Sequence, residues 1–176
     1  SITGSNGVIT KVNLTISGAT VADKTYDGTT AATFSGGTLN GVVGADIGNL
    51  VLVQGGSFSQ SNVGTNLIVT ANNSLSGSAA GNYSLTQPTG LTASITPKAL
   101  TVTGTTVANK TYDGTNVATV TNGTLVGVVS GDTVSLNQSG TFSSANVGTG
   151  LAVTITDTLS NNTAGNYTLI QPTGLA

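Results

Sequence analysis

The chain repeats itself once, at a spacing too long for a solenoid. Val21-Ala22-Asp23-Lys24-Thr25-Tyr26-Asp27-Gly28-Thr29 returns 86 positions later as Val107-Ala108-Asn109-Lys110-Thr111-Tyr112-Asp113-Gly114-Thr115. At that offset residues 12–47 match 98–133 with 21 identities in 36 positions. A two-residue length difference then shifts the offset to 84, and residues 55–91 match 139–175 with 22 identities in 37. Solenoid coils repeat every ~20–50 residues, so a period of 84–86 describes one small self-contained domain present in tandem. The 176 residues divide into a first domain over 12–97 and a second over 98–176. Residues 1–11 read as the tail of a preceding repeat or an added lead-in, because Val8-Ile9-Thr10-Lys11 echoes Ser94-Ile95-Thr96-Pro97-Lys98. The second copy stops at Leu175-Ala176, before the counterpart of residues 91–96 is complete, as expected of a piece cut from a longer array. An incomplete closing strand leaves an edge open to pairing.

Composition narrows what such a domain can do. Charged residues are 6% of the chain, against about 25% in an ordinary globular domain. The basic residues are four lysines, the acids are six aspartates, and there is no Glu, Arg, His, Cys, Met or Trp. That removes the usual zinc, copper, iron–sulfur and haem ligands, and any triad built on His or Cys. A net charge of −2 without arginine argues against a phosphate-backbone partner, so no nucleic acid is expected. The longest aliphatic runs, such as residues 50–53, fall far short of the ~20 residues that span a bilayer, so no membrane insertion is expected. Thr, Gly, Ser and Asn together exceed half the chain, and helix formers are scarce: a strand-and-turn composition.

The local pattern agrees. Residues 13–17 and 99–103 alternate, placing Leu14 and Ile16, or Leu100 and Val102, on one side. A turn follows at Tyr26-Asp27-Gly28. Further short strands are expected at 31–34, 50–53, near Phe58, at 67–70, 83–86 and 91–96, with their counterparts in the second copy. Residues 36–46 are glycine-rich and read as turns or one helical turn. About seven strands in ~85 residues indicate a mainly β fold: two tandem small β domains, β-grasp-like or alternatively Ig-like sandwiches. Pro97 holds the junction extended, so the pair is expected to form an extended rod. Six of the seven aromatics recur in register (Tyr26/Tyr112, Phe58/Phe142, Tyr83/Tyr167) and are expected to anchor each small core.

Five ordered elements occur in this chain: Lys-Thr-Tyr-Asp-Gly-Thr, Leu-x-Gly-Val-Val-x-x-Asp, Phe-x-x-x-Asn-Val-Gly-Thr, Ala-Gly-Asn-Tyr and Ile-Thr-Pro-Lys. Together they resemble the YDG repeat domain of large bacterial surface proteins, including filamentous-haemagglutinin-like adhesins, and related repeats described as mostly β-grasp. The resemblance covers nearly all of residues 12–176, twice. It departs where the second copy lacks Ile-Thr-Pro-Lys and where Ala45, not Gly, precedes Asp46. It implies an extracellular stalk of a secreted cell-surface adhesin serving cell adhesion or biofilm formation. It also implies no catalytic residues and, as partners, neighbouring repeats of the same chain.

Three charges recur in both copies: Lys24/Lys110, Asp27/Asp113 and Asp46/Asp132. With Tyr26, Gly28, Tyr112 and Gly114 they form a repeated structural motif. The favoured reading is a turn aspartate bonding its own backbone beside a lysine. A sharper one is an intramolecular amide on Lys24, with Asp46 moving the proton and Asn62/Asn146 or Asn82/Asn166 as acceptors. That chemistry needs a desolvated neutral amine. Calcium would want several oxygens in one loop, and no Asp-x-Asp run exists, so no metal or cofactor is expected. The rival function is a lectin-like module binding surface polysaccharide or host glycan directly, through the tyrosines and asparagines. Buried tyrosines favour a stalk; co-planar exposed rings beside Asn or Asp favour sugar. No enzymatic activity is expected, and the chain is expected to be a monomer.

Overall fold

The computed structural model describes residues 7–162 and 165–176. The described residues form two compact units. One takes the chain up to Lys24 together with Thr29–Ile95; the other takes Thr96–Ala176 together with the short segment Thr25–Gly28. The Tyr-Asp-Gly turn of the first repeat is therefore part of the second unit.

The first repeat supplies β1 (Val12–Val21), β2 (Lys24–Thr25), β3 (Phe34–Asn40), β4 (Val51–Val53), β5 (Gly56–Phe58), β6 (Gly64–Ala71), β7 (Ser74–Ser76), β8 (Tyr83–Thr86) and β9 (Thr92–Thr96). In the first unit β1 lies between β3, antiparallel, and β8, parallel. β6 pairs antiparallel with β5 and β9, and β4 pairs with β7. The β1 alternation drives Leu14 fully inside, where Ala79 and Tyr83 meet it and Leu39, Val42, Leu50, Leu75 and Leu85 pack around them. β9 brings a second set inward, with Ala93 and Ile95 buried and Ile95 only 1% exposed.

The second repeat supplies β10 (Lys98–Thr103), β11 (Thr106–Val107), β12 (Val117–Ala118), β13 (Val120–Thr121), β14 (Thr124–Val126), β15 (Ser135–Asn137), β16 (Gly140–Phe142), β17 (Val153–Ile155), β18 (Thr158–Ser160) and β19 (Tyr167–Leu169). β10 lies between β14 and β19 just as β1 does between its neighbours. β16 joins β12 and β17, and Ala118, Val120, Val153 and Ile155 form a core with Val107, Phe142 and Leu175 packed on it.

The expected mainly β tandem domains are what forms. The helical content among the described residues includes two three-residue 3-10 turns, Gly44–Asp46 and Ala80–Asn82. One expectation fails locally: residues 36–40 belong to strand β3 rather than to turns. Gly36 sits opposite Ala19, and a Cβ on it would collide with the Gly18 carbonyl. The glycines that read as turn formers instead permit close strand approach, a role glycine can also take within a sheet.

Candidate functional site

The repeated charges sort into two sites in each repeat. The first is the lysine turn. Lys24 Nζ donates to the Thr29 carbonyl and hydroxyl, each at 3.0 Å, and to the Ala31 carbonyl at 3.2 Å. Lys110 does the same at Thr115 and Val117. Lys110 also pairs with Asp113 at 2.8 Å, while Asp113 Oδ1 accepts from the Thr115 amide and hydroxyl. The Lys110 ammonium and the Thr115 donors favour the ionised carboxylate and hold the Asp113 pKa down to about 2. Gly28 and Gly114 close these turns at φ +79°, backbone that a Cβ disfavours.

The second is a tyrosine–aspartate pair. In the first unit the Tyr83 hydroxyl donates to Asp46 Oδ2 at 2.7 Å and accepts from the Val43 amide at 3.1 Å. In the second the Tyr167 hydroxyl donates to Asp132 Oδ2 at 2.5 Å and accepts from Val129 at 2.9 Å. Parallel pairing of β8 on β1, and of β19 on β10, sets each tyrosine beneath the 3-10 turn or loop that carries its aspartate. Hydrogen bonding to Asp46, aided by burial, raises the Tyr83 pKa.

The second unit adds a third member. Tyr26, from Thr25–Gly28, donates its hydroxyl to Asp132 Oδ2 at 2.9 Å and meets the Tyr167 ring edge-on, centroids 5.4 Å apart. Its amide donates to the Thr96 carbonyl at 2.8 Å, and the Asn166 side chain bonds its hydroxyl. Gly28 lies so close that a Cβ on it would stand 3.1 Å from Val129 Cγ1. Burial, then the bond to Asp132, raises the Tyr26 pKa; the same causes push Tyr167 up to about 12.

The lysines and the later aspartates therefore occupy separate places in the second unit: Asp132 accepts from two tyrosines, while Lys110 is held by Asp113, Thr115 and Val117. Of the asparagines, Asn62 offers its carbonyl to Gln60, Asn82 ends a 3-10 turn in solvent, and Asn146 lies on a groove rim. Asn166 is buried beside Tyr26. The tyrosines divide: Tyr26, Tyr83 and Tyr167 are buried, whereas Tyr112 is 64% exposed. Among the described residues no three carboxylates converge.

Sequence reasoning overlooked one repeated polar contact. Asn73 and Asp157 occupy matching positions, both buried. Asn73 Oδ1 accepts from the Gly55 amide, and Gln87 bridges both backbone groups of Asn73. Asp157 repeats this with Ser139 and Gln171. The conserved spacing of Gln87-Pro88-Thr89-Gly90-Leu91 and its copy was the available signal.

These are two small all-β domains in tandem, each with a buried tyrosine bonded to a half-buried aspartate. The profile of the YDG domain matches residues 10–90 and again 96–174, and the chain belongs to that family. Comparison with curated proteins and with solved structures gives no match.

Proposed function

We propose that this chain is a structural stalk segment of a secreted bacterial surface adhesin, spacing a binding tip from the cell for adhesion or biofilm formation. The observation that carries the reading is the tandem of YDG domains, with Tyr26 of the first repeat's sequence built into the second unit. A fold whose successive repeats share residues transmits tension through sheet hydrogen bonds and a buried side chain. Three buried tyrosines fit this role better than a sugar platform does. The reading assigns the chain no catalytic step, metal or cofactor.

Force spectroscopy on a concatemer tests it. Discrete, evenly spaced unfolding peaks are expected; extension at low force without peaks would refute a load-bearing role. One observation favours the second reading, a lectin-like module: the exposed Tyr112 ring shares a groove with Asn109 and Asn146. A glycan array decides between them, and reproducible binding abolished by Tyr112→Ala would establish the lectin reading instead.

A further inference from the structure

The second unit is discontinuous in sequence: the chain enters it at Thr25–Gly28, leaves, and returns at Thr96. Everything between, Thr29–Ile95, belongs to the first unit. The points of exit and return are held together, because the Tyr26 amide donates to the Thr96 carbonyl at 2.8 Å. Residues 27–95 thus form a long loop closed at its base by a contact internal to the second unit.

The base is fastened through the side chain as well. Tyr26 is buried, its hydroxyl donates to Asp132, and its ring meets Tyr167 edge-on. These receivers are tied to the stretch where the chain returns. Tyr167 stands opposite Lys98 in the parallel pairing of β19 with β10, and the Lys98 amide donates to the Asn166 carbonyl at 2.9 Å. The Asn166 side chain in turn bonds the Tyr26 hydroxyl. Backbone and side chain of Tyr26 therefore both lead to residues 96–98.

Ahead of this base lies β1, ten residues of strand at a rise of about 3.4 Å each. A strand is already close to full extension, so tension along β1 gains little length. β3 and β8 are bonded to β1 but lie inside the loop. While the base holds, no tension enters the loop, and the bonds from β1 to β3 and β8 join a taut strand to slack neighbours.

We propose that Tyr26 is a mechanical clamp, routing end-to-end tension from β1 directly into residues 96–98 and keeping residues 27–95 in reserve as hidden length. The inference rests on the load-bearing stalk proposed above and adds to it which residues carry the load. The first unit's resistance to extension is set by a side chain that belongs to the second. Opening the clamp lets out residues 27–95, about 24 nm of chain at roughly 3.3–3.6 Å per residue, and that slack relieves tension on the rest of the chain.

Optical trapping at constant force, on the intact chain held by its two ends, tests the clamp. The wild type should lengthen in a step of about 24 nm. Tyr26→Phe keeps the ring and loses the bond to Asp132; the step should come at least about threefold sooner, as for the loss of one hydrogen bond. Tyr26→Ala, which also removes the ring, should hasten it further. Leu75→Ala, with Leu75→Val as the milder form, strips contact from the first unit's core. It should lower that unit's midpoint in urea yet leave the dwell time before the step unchanged. A step hastened by the Leu75 variants and indifferent to both Tyr26 variants would put the first unit's own core on the load line and overturn the clamp, with the load-bearing stalk left standing. Lengthening at low force without any step would overturn both.

Discussion

Tyr26 and Asp132, 106 positions apart, share a hydrogen bond of 2.9 Å, and through it the signature turn of one repeat completes the unit formed by the next. Asp132 accepts Tyr167 at the same oxygen, so one carboxylate serves two buried phenols. Asp132→Ala leaves both hydroxyls without this acceptor, and orphaning a buried polar group costs about 1–3 kcal/mol. The second unit should lose that much in urea unfolding. Asp46→Ala deprives only Tyr83 and should cost its unit less. A double-mutant cycle of Tyr26→Phe with Asp132→Asn should show coupling; strict additivity would mean the contact contributes nothing.

The same contact sets an alkaline limit. Burial first, and then the bond to Asp132, disfavour the Tyr167 phenolate and raise its pKa from 10.0 to about 12. The neutral phenol is thus the form the fold prefers. Its contribution is complete below pH 10 and is lost as pH climbs through about 12. Ultraviolet titration should show a late phenolate that Tyr167→Phe removes, and unfolding by alkali should follow that late step.

At the acid end Asp113 acts with the opposite sign. Its pKa is lowered from 3.8 to about 2 by Lys110 and the Thr115 donors, so its contribution is present above 3.8 and fades as pH falls through about 2. The pair is solvent-exposed, where ion pairs contribute little. Asp113→Asn should flatten a shallow acid slope of the second unit's stability without shifting its neutral-pH midpoint appreciably.

Gly28 and Gly114 share a φ of +79° but differ in surroundings. A Cβ at Gly114 meets nothing within 4 Å, while one at Gly28 stands 3.1 Å from Val129 Cγ1. Gly114→Ala should cost the backbone term alone, about 1–2 kcal/mol. Gly28→Ala should cost measurably more, and equal losses would show that the Val129 side chain simply moves aside.

Asp157→Asn places in the second unit the residue its twin position, Asn73, carries in the first. Asp157 is 4% exposed and its Oδ2 has no hydrogen-bond partner among the described residues. Burying an unpaired polar group is costly, more so when it is charged. The amide keeps the Oδ1 acceptor for Ser139 and, like Asn73 Nδ2 in the first unit, leaves an unpaired but neutral group in place of a carboxylate oxygen, so the variant should unfold at a higher temperature; a lower one would show that the carboxylate itself is needed.

The β character, the tandem division and the strands at residues 83–86 and 91–96 were legible because they follow from local pattern: alternation, turn residues and self-similarity. β3 was not, since Gly36 and Gly37 mark turns locally and only the opposing Gly18 carbonyl explains them as a close approach. The repeated aspartates were singled out from the chain alone, but Tyr83 and Tyr167 were not assigned as their partners, because strand register decides which phenol lies beneath which carboxylate.

By itself the sequence determined two copies of one small β domain and an identical Lys-Thr-Tyr-Asp-Gly-Thr turn in each. The tertiary structure alone decided that Tyr26 is 5% exposed within the second unit while Tyr112, in the same hexapeptide, is 64% exposed. Turn geometry is a property of a few consecutive residues and is written identically twice. Burial is a property of what packs against the turn from residues far away in the chain, and Asp132 and Tyr167 are there to receive Tyr26.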